Sequence, residues 1–147
     1  MAHVRQNIRS NIVTTLTGLT TTGSNVFETR LFSLGETKLP ALCIYTKNET
    51  TEYATLTTPR TQMRTLDVIV EAYVKGTANI DDTLDTISVQ VEEALYTDLT
   101  RGGYAKDTQV TDFEADYAAD GEQSVGMGRF TIAVTYATVE NDIETAA

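Results

Sequence analysis

Leu39-Pro40-Ala41-Leu42-Cys43-Ile44-Tyr45-Thr46 and, after a polar interval, Val68-Ile69-Val70-Glu71-Ala72-Tyr73 are the two segments on which the fold turns. In the first, Ala41, Cys43 and Tyr45 point one way and Leu42 and Ile44 the other, so both faces are apolar, the pattern of a strand lying centrally in a sheet. Pro40 is tolerable there only because it stands at the strand entry. In the second, Leu66, Val68, Val70, Ala72 and Val74 share one face against Asp67, Ile69, Glu71 and Tyr73. One side is therefore core, and the other is wet or at an interface. Between the two strands, residues 47–61 form a polar stretch with Lys47, Glu49, Glu52, Tyr53, Pro59 and Arg60. It exceeds an ordinary tight hairpin, which predicts either a mobile loop or one held by a partner.

Working outward, Val4, Ile8, Ile12, Leu16 and Leu19 recur at helical spacing and predict an amphipathic helix that stops in Thr20-Thr21-Thr22-Gly23. Residues 26–32 read as a strand and residues 34–38 as a turn. Asn79 reads as the N-cap of a second helix, with Asp81 and Asp82 in its first turn and an apolar stripe of Ile80, Leu84, Ile87, Val91, Leu95 and Leu99. Arg101-Gly102-Gly103 ends it. Two strands follow, about residues 108–117 and 129–138, with Phe130, Ile132, Val134 and Tyr136 facing inward and a loose tail from Glu140. The order helix, three strands, helix, two strands predicts one α+β domain over residues 1–147. Both helices cover one face of a mainly antiparallel sheet of about five strands.

The 147 residues carry a net charge of -10 and a pI near 4.4, which argues against a surface built to grip nucleic acid, since phosphate binding relies on clustered Lys and Arg. No apolar run approaches the length of a membrane helix and no signal-peptide h-region opens the chain, so synthesis in the cytosol is expected. The single cysteine, Cys43, cannot form an internal disulfide and reads as a small buried strand residue.

Signatures of catalysis are sparse. The one histidine, His3, stands beside a terminus expected to fray, which disfavours a Ser-His-Asp or Cys-His arrangement. One His and one Cys do not make a zinc site. Gly126-Met127-Gly128 lacks the third glycine and following helix of a dinucleotide loop, and reads as a bend entering the last strand. Asp112, Glu114 and Asp116 alternate on one strand face, with Asp120 and Glu122 beyond them and Phe113, Ala115 and Tyr117 turned to the core. A calcium loop would need glycine where Tyr117 stands, so a solvated acidic face is the simpler reading. No cofactor and no metal is expected.

The helix from Arg5 to Leu19, the Thr22-Gly23 turn, Val26 to Arg30, Leu39-Pro40 running into Tyr45-Thr46, Arg64 to Tyr73, and the helix after Asp81-Asp82 together resemble the tail terminator, or tail completion, proteins of long-tailed bacteriophages, the group of the lambda-type minor tail protein U. The resemblance lies in the order and spacing of elements across nearly the whole chain. It implies the same α+β fold and a non-enzymatic protein of the virion tail, assembled in the host cytoplasm. The implied form is a homo-oligomeric ring, usually a hexamer, that caps the tail tube, ends its growth and docks the head. Its partners would be the tail tube protein and a connector or neck protein of the head. DNA would pass through the channel without specific binding.

A head-to-tail ring uses two unlike patches per subunit. Lys47, Glu49, Glu52, Tyr53, Arg60 and Arg64 are the candidates for one patch, with Arg60 and Arg64 expected to pair with acidic groups on a neighbour. Ile69 and Tyr73, on the face away from the helices, are candidates for cover by another subunit. Asp112, Glu114 and Asp116 are the candidate channel lining, where negative charge keeps DNA from adhering. Another ring protein of the head-tail neck is the alternative, and a small enzyme using His3 a more distant one.

Overall fold

Two helices lie on one face of a five-stranded sheet in the computed structural model, which describes residues 2–28, 40–76, 79–120 and 123–147, with side chains for all of these except 118–120, 123 and 124. In chain order the elements are α1 (Val4–Leu16), β1 (Val26–Phe27), β2 (Ala41–Tyr53), β3 (Thr61–Gly76), α2 (Ile80–Tyr96), β4 (Asp107–Asp120) and β5 (Gln123–Val139). The sheet order is β1-β2-β3-β5-β4. Among the described residues only the β1–β2 pair is parallel. The strand expected over 26–32 is seen as Val26–Phe27, with a bend at Glu28, and its remainder from residue 29, the turn at 34–38 and Leu39 lie outside the described residues.

The helical periodicity is realised as burial. Val4, Ile8, Ile12 and Leu16 are fully buried, as are Ile87 and Val91, with Leu84 and Leu95 close behind. They pack on Leu42 and Ile44 of β2, Leu66 to Val74 at alternate positions of β3, and Phe130, Ile132, Val134 and Tyr136 of β5. Each such aliphatic side chain contributes about 1.5–3 kcal/mol by leaving water, so the two stripes are what hold the helices to the sheet.

Several local expectations need correction. The first helix ends at Leu16, and Leu19 instead pairs with Gly23 in a small turn closed by the Gly18 and Gly23 amides. α2 ends at Tyr96, because Arg101 (φ 52°) turns its guanidinium back onto the Leu95 and Asp98 carbonyls and satisfies groups that a further helical turn would have used. Leu99 is thereby left half-exposed. Asn79 caps with its backbone rather than its side chain: at φ 60° it is left-handed, and its carbonyl accepts from the Thr83 amide at 3.1 Å. His3 takes the capping role on α1, its Nδ1 accepting from the Arg5 amide at 3.1 Å. The tail is not loose. Ile143 O accepts from the Val4 amide, and the Ala147 amide donates to Ala137 O.

Gly126 and Gly128 are not a bend but lie within β5, paired to both β3 and β4. A Cβ at Gly126 would stand 2.4 Å from Ile80 Cγ2, and one at Gly128 2.9 Å from Phe113 Cε1. Glycine is needed here for close approach of the helix and a ring to the sheet, not for turning the chain.

The central strands outrun their cover. β3, at 16 residues, spans about 50 Å, whereas α2, at 17 residues, spans about 25 Å. The β2–β3 hairpin therefore projects past the helices at one end and the β4–β5 hairpin at the other.

Candidate assembly surfaces

The first surface is the β2–β3 arm. Most of the polar interval is strand: pairing continues to Tyr53↔Gln62, and only residues 54–60 form the turn. The arm is braced at its tip. The Ala54 amide donates to Thr61 O at 2.8 Å, and the Thr61 amide to Thr55 Oγ1 at 2.9 Å. Arg60 lies 4.4 Å over the Tyr53 ring while its guanidinium reaches Glu140 at 3.1 Å. Leu56 stands out of this turn at 96% exposure.

At the arm's base Glu49 is a hub. Its Oε2 accepts from Arg5 at 2.8 Å and from Arg64 at 2.9 Å, and its Oε1 from the Tyr136 hydroxyl. Burial and the neighbouring Glu49 carboxylate push the Tyr136 hydroxyl above its ordinary pKa, so it stays protonated as a donor. The hub ties α1, β2, β3 and β5 together. The expectation that Arg60 and Arg64 await acidic partners on a neighbour is therefore corrected: both are paired within the chain, with Glu140 and Glu49. Lys47 and Glu52 are exposed on the arm.

The second surface is the sheet face away from the helices. Its centre is closed, not open: Ala41, Cys43, Ile69 and Glu71 are all fully buried. Ile69 sits between Tyr45 and Thr131 in the ladders, and cannot offer itself to another subunit. Tyr73 is half-buried and donates its hydroxyl to Glu71 at 2.8 Å. Arg129 donates to Glu71 from Nε at 3.0 Å and from Nη2 at 2.9 Å. Burial alone would raise the Glu71 carboxyl, but hydrogen bonds from Tyr73, Arg129 and Tyr45 outweigh it and hold the pKa below the ordinary carboxylate value.

Towards the β4 edge this face becomes acidic. Asp112, Glu114 and Asp116 lie opposite Thr131, Arg129 and Met127 and are all exposed. Glu114 comes within 3.6 Å of Arg129. Phe113, Ala115 and Tyr117 face the helix side, and Phe113 and Tyr117 are 40% and 50% exposed. Phe113 retains a tilted contact with Phe130, ring centroids 5.0 Å apart.

The third surface was not legible in the sequence. A groove of about 470 Å³ runs between the end of α2 and β4, lined by Leu95, Tyr96, Leu99 and Val110 with Glu92 at its rim. Tyr96 and Leu99 are each exposed. The apolar spacing placed Leu99 on the buried stripe, and nothing in the spacing marked Tyr96. Glu140, Arg129 and Tyr136 were likewise invisible as partners, since Glu49 and Tyr136 are 87 positions apart. Among the described residues no group of three or more His, Cys, Asp or Glu side chains is placed to hold a metal ion, and no helix is long and apolar enough to cross a membrane.

The model of the phage minor tail protein U family matches residues 3–136. No curated protein sequence matches the chain. Among solved structures, the chain is similar to one from the virion of a native gene transfer agent particle, with 12% identity, coverage of 90% of this chain and 92% of that one, and a TM-score of 0.41.

Proposed function

The chain belongs to the phage minor tail protein U family and is a structural component of a phage tail; from that premise we propose that it assembles as a closed ring on the end of the tail tube, stops tube growth and presents the surface to which the head docks. The observation that carries this reading is the family match over nearly the whole domain. Three features support it. The subunit has a braced β2–β3 arm reaching past its helices at one end, with the long β4 and β5 strands running to the other, suited to contacts above and below a ring plane. Its two flanks differ, as a head-to-tail ring requires. The exposed Asp112, Glu114 and Asp116 stripe suits a channel wall that DNA must pass without adhering. Six copies, the tube protein below and a neck protein above are the proposed composition, with assembly in the host cytoplasm.

The test is tube growth. Added to purified tube protein during polymerisation, the chain should bind at one end of each tube and halt elongation there. Tubes that lengthen at the same rate with the protein bound would contradict the reading.

A further inference from the structure

His3 stands where a helix start usually carries Ser, Thr, Asp or Asn, and it makes the cap of α1 conditional on its own protonation. The first amides of the helix are satisfied from two sources, the C-terminal tail and His3. The Val4 amide donates to Ile143 O of the tail at 3.1 Å, and the Arg5 amide to His3 Nδ1 at 3.1 Å. The Gln6 and Asn7 amides share the His3 carbonyl at 2.9 and 3.3 Å. An imidazole accepts at Nδ1 through the lone pair that a proton would take, so the side-chain cap exists while His3 is neutral. His3 is the single histidine of the chain, and histidine is the one side chain whose ordinary charge change falls between about pH 5 and 8.

A charge on His3 would be opposed from several sides. It would lie at the positive end of the α1 dipole, and the first turn holds no acidic residue to offset it. Arg5 of α1 and Arg64 of β3 repel a cation there, while Glu49 of β2 attracts one. That carboxylate already accepts from both arginines and from the Tyr136 hydroxyl of β5. Asp142 and Glu144 of the tail, on either side of Ile143, are exposed, where water and salt screen them. Burial first, and then Arg5, hold the imidazole below its ordinary 6.5.

We propose that the start of α1 is a pH-sensitive joint: protonation of His3 withdraws the acceptor from the Arg5 amide and frees the first turn of the helix, together with the end of the tail laid against it, while the rest of the domain stays folded. The tail follows because Ile143 is tied to the Val4 amide, the neighbour of the capped one. The rest of α1 stays in place because Ile8, Ile12 and Leu16 hold it to the core. With a folded pKa below the unfolded one, the stabilisation is complete above about pH 6.5 and is lost as the pH falls through the lower folded value. The joint belongs to the single chain and does not depend on the ring.

Amide hydrogen exchange read by NMR on the full chain, corrected for the intrinsic rate at each pH, tests the joint. Between pH 7 and pH 5 the Val4 and Arg5 amides should lose about fivefold in protection, the worth of a typical cap, and the core amides of β3 should not. The imidazole, followed in the same samples, should titrate below 6.5 from the tautomer that carries its proton on Nε2. His3→Asn, whose amide oxygen accepts at any pH, should keep its pH 7 protection down to pH 5, whereas His3→Ala should lack that protection at both. Unchanged protection of Val4 and Arg5 in the wild type at pH 5 would overturn the proposal. So would an imidazole that titrates at or above 6.5, or a His3→Asn variant that loosens as much as the wild type.

Discussion

Glu71 is the residue at which burial, charge and hydrogen bonding compete most openly. A fully buried carboxylate on the face away from the helices would be costly, yet Arg129, Tyr73 and Tyr45 supply enough donors to keep it ionised. The sign of the pH dependence follows. Its folded pKa lies below the ordinary 4.5, so its stabilising contribution is complete above about pH 4.5 and is lost as the pH falls through the lower folded value. Glu71→Gln should cost about 1–3 kcal/mol at pH 7, a fall of about 2–4 °C in Tm per kcal/mol for a chain of this size. Between pH 5 and pH 3 the variant should lose less stability than the wild type, which thermal unfolding at both pH values measures. Equal losses would remove Glu71 from the acid response. In the sequence this residue was only one member of an alternating face. Its partners Tyr45 and Arg129 come from the strands on either side, which no local pattern joins to it.

The elements were legible wherever periodicity alone decides. The Val4 to Leu16 stripe, the Leu84 to Leu95 stripe and the inward face of β5 are core because alternate or every third and fourth side chain is apolar. What the pattern left out was extent. Residues 47–53 are polar because the arm lies beyond the helices, where a strand has water on both faces, and a polar strand reads as a loop. The glycines of β5 misled for a related reason: their meaning lies in Ile80 and Phe113, brought close only by the fold. Gly126→Ala should force Ile80 outward and cost about 1–3 kcal/mol by overpacking. Adding Ile80→Ala should recover part of that loss, a coupling that a double-mutant cycle in denaturant would detect. Additive losses would mean that the N-terminal turn of α2 already has room to move.

At the scale of the molecule, the family assignment gives a phage tail protein, and the structure gives a projecting β2–β3 arm and an acidic strand at one edge of the sheet. The assembly surfaces were the least legible part of the sequence. Charged residues on the arm looked free to pair with a neighbour, but Arg60 and Arg64 found Glu140 and Glu49 in the same chain, which turns them from contacts into braces. Leu56 at the tip of the arm and the groove beside Tyr96 are exposed apolar surfaces made by distant segments. Electron cryomicroscopy of tail tubes capped with this protein tests the ring most directly. One closed layer of identical subunits is expected at the tube end, with Asp112, Glu114 and Asp116 of every copy facing the axis. A single bound copy per tip, or an open spiral of subunits that leaves the tube end free to grow, would contradict it.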